Sequence, residues 1–378
     1  MLADVVALLE KQGDEGLHLG AQLYVSVDGE VVADLAVGDT EPGAPLTTEH
    51  VMLWYSAGKP LTTAAVLQLI EQGALGLDDR VGRYLTGWSG DKESCTVRHV
   101  LTHMGGFAGC ELFDEDLSYA ESVARIAAWP AEYEPGTRAG YHPTSGWKVL
   151  GELVRVVDGR PVDQYVRERV LAPAGMTDTW LGIPPEEQDR LGERLAPVHW
   201  TGHVVARQEV DGTLRMSEYH VEKVHNERWH RAKVDPGGGA RGPAHDLGRF
   251  YEALARGQLF QRPDTLTLMA ASHRVGVGDR TLLGLKLPWG LGVQVAGGFS
   301  GRVGYRTFGH NGMASSRGFH DPVEGLTVVV VCNGLAGILE HERRMSSVTE
   351  AVYQAVCPRP RGPRVGFQAA LPPMAPPS

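Results

Sequence analysis

The sequence predicts an α+β fold, with one antiparallel sheet built from both chain ends and a helical lobe inserted between them. Three observations predict it. β-rich runs lie near both ends, helical patterns fill the middle, and no internal repeat divides the chain. A chain of 378 residues is also too long for one ordinary hydrophobic core and suits two packed lobes. The expected boundaries place residues 1–75 and 236–357 in one discontinuous α/β lobe. Residues 76–235 form a mainly helical lobe with irregular loops, and 358–378 form a proline-rich tail.

Taken in order, Met1 to Lys11 reads as an amphipathic helix, because Asp4 and Glu10 flank its short apolar stretch. Gln22–Val27 and Val31–Val37 read as strands, joined at Asp28-Gly29, a strong hairpin signal. Leu61 to Gly73 has helical periodicity with Gly73 as its C-cap, so Ser56 should sit near a helix N-terminus. Helical patterns follow at Val97–Thr102, Tyr119–Ala128, Gly146–Val157 and Val162–Leu171, punctuated by Pro130, Pro135, Pro143 and Pro173. Between about Pro185 and Asp235 the signal is poor. His199, Trp200, His203, His220, Trp229 and His230 are scattered there, and the stretch reads as irregular loops over the site. Ala244–Ala255 is helical again. Trp289–Val295 and Leu326–Val331 are strand-like, and Val348–Val356 reads as a closing helix. Beyond Cys357 proline recurs without periodicity, which predicts a loosely attached tail.

Composition narrows the function. Hydrophobic residues make up 42% and charged residues 22%, an ordinary globular balance. A formal charge of -10 argues against nucleic acid or an anionic membrane as partner. No apolar run approaches the ~18 residues of a bilayer span. The N-terminus lacks a basic stretch, so no secretion signal is expected and the expected location is the cytoplasm. Cys95, Cys110, Cys332 and Cys357 are widely spaced, which predicts buried thiols rather than a disulfide framework. His99 and His103 lie four apart on a predicted helix but lack a carboxylate placed for a zinc site, so no metal and no cofactor is expected.

The chemistry concentrates at Ser56-Ala57-Gly58-Lys59. A serine hydroxyl needs a base to become a nucleophile. Residues three apart share a helix face, so the Lys59 amine can reach the Ser56 hydroxyl. To act as base the amine must be neutral, and its ordinary pKa of about 10.4 must fall through burial or a nearby cation. The helix start also offers backbone N–H groups to a developing oxyanion. Serine and lysine at this spacing recur by chance in long chains, and the bland reading is an N-cap serine beside a solvated lysine. The apolar lead-in Val51–Tyr55 favours a buried lysine instead. No Gly-x-Ser-x-Gly elbow surrounds Ser56, and no phosphate loop or dinucleotide fingerprint appears.

Further stretches extend the pattern. Thr96–Gly106, Glu134-Pro135-Gly136-Thr137-Arg138 with Gly140-Tyr141-His142-Pro143, Leu171–Thr179, Gly237–Phe250 and Phe308-Gly309-His310-Asn311-Gly312 follow in that order. Together with Ser56–Lys59 they resemble the serine β-lactamase and penicillin-binding-protein superfamily. The similarity is to its branch with class C β-lactamases, family VIII esterases, D-amino-acid peptidases and natural-product transacylases. It runs from about residue 20 to 355 and implies the β-lactamase/transpeptidase-like fold.

The resemblance implies roles residue by residue. Ser56 is similar to the nucleophile and Lys59 to its base. Tyr141 resembles the tyrosine that relays the proton between nucleophile and leaving group. Its alternative is a core tyrosine. His310-Asn311-Gly312 falls where the third motif belongs, with His310 orienting substrate or tuning Tyr141 and Gly312 leaving room along the strand edge. Backbone N–H groups of Ser56 and Met313 would form the oxyanion hole. His142, Trp54 and Trp289 are further candidate substrate contacts. Two departures weigh against antibiotic hydrolysis: Pro143 stands where β-lactamases of this type carry asparagine, and His310 where they usually carry lysine.

The function expected is a serine acyl-enzyme catalyst that cleaves a small-molecule ester or activated amide. It would pass the acyl group to an amine or alcohol acceptor or to water, as a biosynthetic transacylase or a family VIII-type esterase. The rivals are a D-amino-acid peptidase or amidase, a β-lactamase, and a non-catalytic binding protein on the same fold.

Overall fold

The computed structural model describes residues 2–110, 117–202, 205–210, 213–218 and 221–366. Its centre is a seven-stranded antiparallel sheet. The strands are β1 (Gly20–Val27), β2 (Glu30–Glu41), β3 (Ala44–Pro45), β4 (Gln294–Val295), β5 (Phe308–Gly312), β6 (Ser316–Asp321) and β7 (Leu326–Cys332). Their spatial order is β3-β2-β1-β7-β6-β5-β4, so the two chain ends meet at the β1–β7 seam. There Gln22 pairs with Val331 and Tyr24 with Val329. The β1–β2 hairpin turns where Asp28-Gly29 predicted it, with φ of 51° and 82° at the two residues. Two successive positive φ values give the turn a twist that matches the strands.

β7 is apolar at nearly every position because helices cover both faces of the sheet. Val328 and Val330 enter one core with Leu23 and Val25 of β1. That core is closed by Val5 and Leu9 of helix α1 (Ala3–Asp14) and by Val348, Val352 and Tyr353 of the C-terminal helix, Ile338–Val356. Val329 and Val331 enter the other core, with Leu247 and Phe250 of helix Ala244–Ala255 and with helix α2 (Lys59–Glu71). Each valine fully buried this way contributes about 1.5–3 kcal/mol.

Several elements start or end away from their expected places. The closing helix begins at Ile338, ten residues before the expected Val348, because Glu340, Glu342, Arg343 and Arg344 hide its apolar face from a simple periodicity reading. Of the run Trp289–Val295 only Gln294–Val295 pairs as a strand. The intervening lobe is not all helical, and the segment expected as irregular loops is partly ordered. Val205–Val210 and Thr213–Glu218 form an antiparallel hairpin, and Val221–His225 and Arg228–Ala232 are short helices. His203 and His220 lie outside the described residues. The tail is tied down as far as Arg364–Val365, which pairs with Val303–Gly304; residues from 367 onward lie outside the described residues. All four cysteines are buried, and none forms a disulfide among the described residues. No helix among the described residues is long and apolar enough to cross a membrane.

Candidate active site

The strand-like pair Met52–Leu53 hydrogen-bonds to Arg241–Gly242 and delivers the chain into a tight turn, Tyr55–Gly58, which runs straight into α2. Ser56 lies in that turn and Lys59 opens the helix. Tyr55 adopts a left-handed φ of 50°, a conformation that costs a non-glycine residue about 1–3 kcal/mol unless its surroundings hold it. They do: the Tyr55 ring is buried, and its hydroxyl lies 2.9 Å from Nδ1 of His225.

Lys59 is fully buried. Its Nζ lies 3.1 Å from Ser56 Oγ and donates to the Pro143 carbonyl at 2.5 Å and to the Gly237 carbonyl. Its Nζ sits 4.8 Å from the centroid of the Trp147 ring and 5.5 Å from that of the Tyr141 ring. A burial this complete is tolerable for an amine only with such partners. Gly237 is needed for the convergence. A Cβ there would lie 2.9 Å from the Pro143 carbonyl oxygen and 3.1 Å from Trp147 Cβ. Pro143 has lost the side-chain amide of the resembled motif, but its backbone carbonyl still holds the amine.

Tyr141 is half-buried, its ring 4.4 Å from His103 and 5.8 Å from Trp289, centroid to centroid. Thus the three residues singled out for chemistry, from two distant stretches of chain, share one locality. β5 forms its wall. His310 is 2% exposed, with its ring 6.2 Å from that of Tyr141 and its Nε2 buried without a partner among the described residues. Burial, reinforced by the nearby Lys59, pushes the His310 imidazole down to about 3, so it is neutral near pH 7. Gly312 faces the nucleophile turn: a Cβ there would lie 2.1 Å from the Trp54 carbonyl oxygen and 2.0 Å from Ser316 Oγ. The missing side chain of Gly312 thus makes room for the turn that carries Ser56. No turn or loop hydrogen bond to another described residue uses the backbone N–H of Ser56 or Met313.

A family model described as Beta-lactamase matches residues 5–352, nearly the whole chain. The chain belongs to the β-lactamase family. Among curated relatives, esterase EstB of Burkholderia gladioli is 28% identical over 89% of this chain and 93% of its own length. Monacolin J acid methylbutanoyltransferase of Aspergillus terreus is 27% identical over 60% of this chain and 58% of its own. Among solved structures, a family VIII carboxylesterase superposes with a TM-score of 0.77 at 22% identity, covering 93% of this chain and 97% of that one. The protein is accordingly a serine hydrolase or acyltransferase of the β-lactamase family, with its β-lactamase/transpeptidase-like α+β fold.

Most of the other candidate contacts are buried in this structure. Trp54 is 0% exposed and donates its indole N–H to the Gly242 carbonyl at 2.8 Å, so it packs beneath the turn and has no surface for a ligand. His142 is also 0% exposed; its Nε2 accepts from the Phe107 N–H at 3.2 Å, and burial holds its pKa down at about 3. Trp289, at 1% exposure, stands edge-on behind Tyr141 and His103. Asn311 accepts from Arg317 Nε at 2.8 Å, which fixes the strand end. Sequence reasoning missed Gly237 and Pro143 as holders of Lys59, since a backbone carbonyl leaves no residue-type signature. It also missed Tyr55 and His225, whose contact joins remote segments.

Proposed function

We propose that the protein cleaves an ester, or an activated amide, through an acyl intermediate on Ser56 and passes the acyl group to an amine or alcohol acceptor or to water. The observation that carries this reading is the placement of a fully buried amine 3.1 Å from the Ser56 hydroxyl, beside the Tyr141 ring.

In the neutral state the Lys59 amine donates to the carbonyls of Pro143 and Gly237 and turns its lone pair to the Ser56 O–H. Proton removal by Lys59 and Tyr141 lets Oγ attack the substrate carbonyl carbon. The C=O π pair moves to oxygen, and the N–H groups of Ser56 and Met313 receive that charge. Collapse breaks the ester C–O bond, and Tyr141 returns the proton to the leaving alcohol. Water or an acceptor then attacks the acyl-enzyme by the same route in reverse. The neutral His310 backs Tyr141 without adding a charge. The similarity to an esterase and to a methylbutanoyltransferase supports this class of reaction.

Turnover of a short p-nitrophenyl ester, with and without added amine, tests it. Free acid equal to the ester consumed indicates hydrolysis, and ester consumed without equivalent acid indicates transfer. No turnover, together with no covalent adduct from a fluorophosphonate, overturns the reading.

A further inference from the structure

Tyr141 is held less by its own element than by a remote loop, residues 274–289. The loop is cinched at its neck, where Arg274 and Trp289 exchange backbone hydrogen bonds of 3.1 Å in both directions. It then runs alongside the chain that carries Tyr141. Arg280 N–H donates to the Ala139 carbonyl at 3.0 Å, and Ala139 and Asp279 form a parallel bridge. The Tyr141 N–H itself is shared between Thr281 Oγ1 at 2.8 Å and Asp279 Oδ1 at 3.2 Å. Thr281 in turn donates its hydroxyl to Asp279 Oδ1 at 2.7 Å.

The interior of this loop is costly. The Asp279 and Arg274 side chains are both 0% exposed and lie 3.1 Å apart. Of the Arg274 nitrogens only Nη1 has hydrogen-bond partners, Asp279 and the Thr102 carbonyl; Nε and Nη2 are buried with none among the described residues. A buried ion pair with idle donors is a poor stabiliser, and an apolar pair of similar volume would commonly serve stability as well or better. What the pair does supply is a carboxylate fixed on the backbone of Tyr141. The Tyr141 ring is meanwhile packed between His103 and Trp289, the residue that closes the loop's neck.

We infer that Asp279, anchored by Arg274 and assisted by Thr281, is a positioning residue that sets the Tyr141 phenol against Ser56 and Lys59. This rests on the reading above that Tyr141 handles the proton. Misplacing a reacting group by about 1 Å can cost about a hundredfold in rate. Asp279→Ala is therefore expected to lower kcat for a p-nitrophenyl ester by about 10²-fold with KM little changed. Thr281→Val spares the buried ion pair at an exposed position and should lower kcat by about tenfold, and Thr281→Ser should restore it.

A double-mutant cycle separates positioning from general support. In a Tyr141→Phe background, neither Asp279→Ala nor Thr281→Val should lower kcat further. Losses that multiply in that background, or a Thr281→Val enzyme with unaltered kcat, overturn the inference. If Asp279→Ala does not fold, the Thr281→Val cycle decides alone. Full activity of Tyr141→Phe by itself would instead remove the proton relay, a separate failure read from a separate variant.

Discussion

Ser56 and Lys59 are three residues apart in sequence and 3.1 Å apart at their reacting atoms, so this part of the site is local and legible. Ser56→Ala should abolish the fluorophosphonate adduct measured by intact mass. Lys59→Ala and Tyr141→Phe should each slow acylation by about 10²- to 10⁴-fold, the span of a positioned acid–base group. Tyr141 could be picked out only through its motif, because nothing in its neighbours' residue types says that they fold against α2. Trp54, beside the first motif, and His142, within the second, are both fully buried. Gly312 carries a sharper expectation. Gly312→Ala would drive its methyl into the Trp54 carbonyl and Ser316 Oγ. It should displace the nucleophile turn, with a larger loss in kcat/KM than the accompanying fall in Tm would explain.

Among elements, the turn Tyr55–Gly58 combines strain with support. The left-handed φ of Tyr55 is maintained by a ring that is buried against His225 and by the hydrogen bond between them. Tyr55→Phe keeps the ring and removes the bond, leaving His225 Nδ1 without its partner. The expected cost is about 1–3 kcal/mol, read from the denaturant midpoint, together with a loss of acylation rate. The helix Val221–His225 that supplies this support lies in the stretch that looked irregular in sequence. Its apolar positions are too few to show a helical period, and a helix this short is held by contacts with the rest of the fold, among them Tyr55 on the His225 ring and Arg241 on the His225 carbonyl. By contrast Tyr119–Ala128 and Ala244–Ala255 match their expected limits, each having a clear apolar face.

For the whole molecule, buried histidines set the response to acid. Burial holds His18 and His320 down at about 4 and His142 and His310 down at about 3. It also holds His103, His225 and His341 well below the usual imidazole value. The unfolded chain takes up these protons near pH 6.5 and the folded protein does not, so the unfolded state binds more protons in that window. Stability is thus full above about pH 6.5 and falls as pH drops toward 4, by up to about 1.4 kcal/mol per pH unit for each histidine. His245 acts in the opposite sense, its pKa being raised by the Asp34 and Asp246 carboxylates against the effect of its own burial. Among the described residues it is one histidine against nine, since burial lowers His50 and His99 as well. Denaturant melts between pH 7 and pH 4 should show a steep loss of midpoint across that range. A flat profile would mean that these rings are solvated. That both chain ends enter one sheet was legible in the β-rich runs near each end, whereas the order of the strands was not. Nor was the path of the lobe between those ends, since its hairpin lacks apolar alternation.

The seam between β1 and β7 also orders events during synthesis. Gln22 emerges from the ribosome about three hundred residues before its partner Val331. The first strands, Ser56 and Lys59 must wait for the last third of the chain before they have a sheet to join or a β5 wall to rest on. A nascent chain cut short before Leu326–Cys332 would carry its serine unarmed, and the capacity to form an acyl adduct should arise only after β7 has been made.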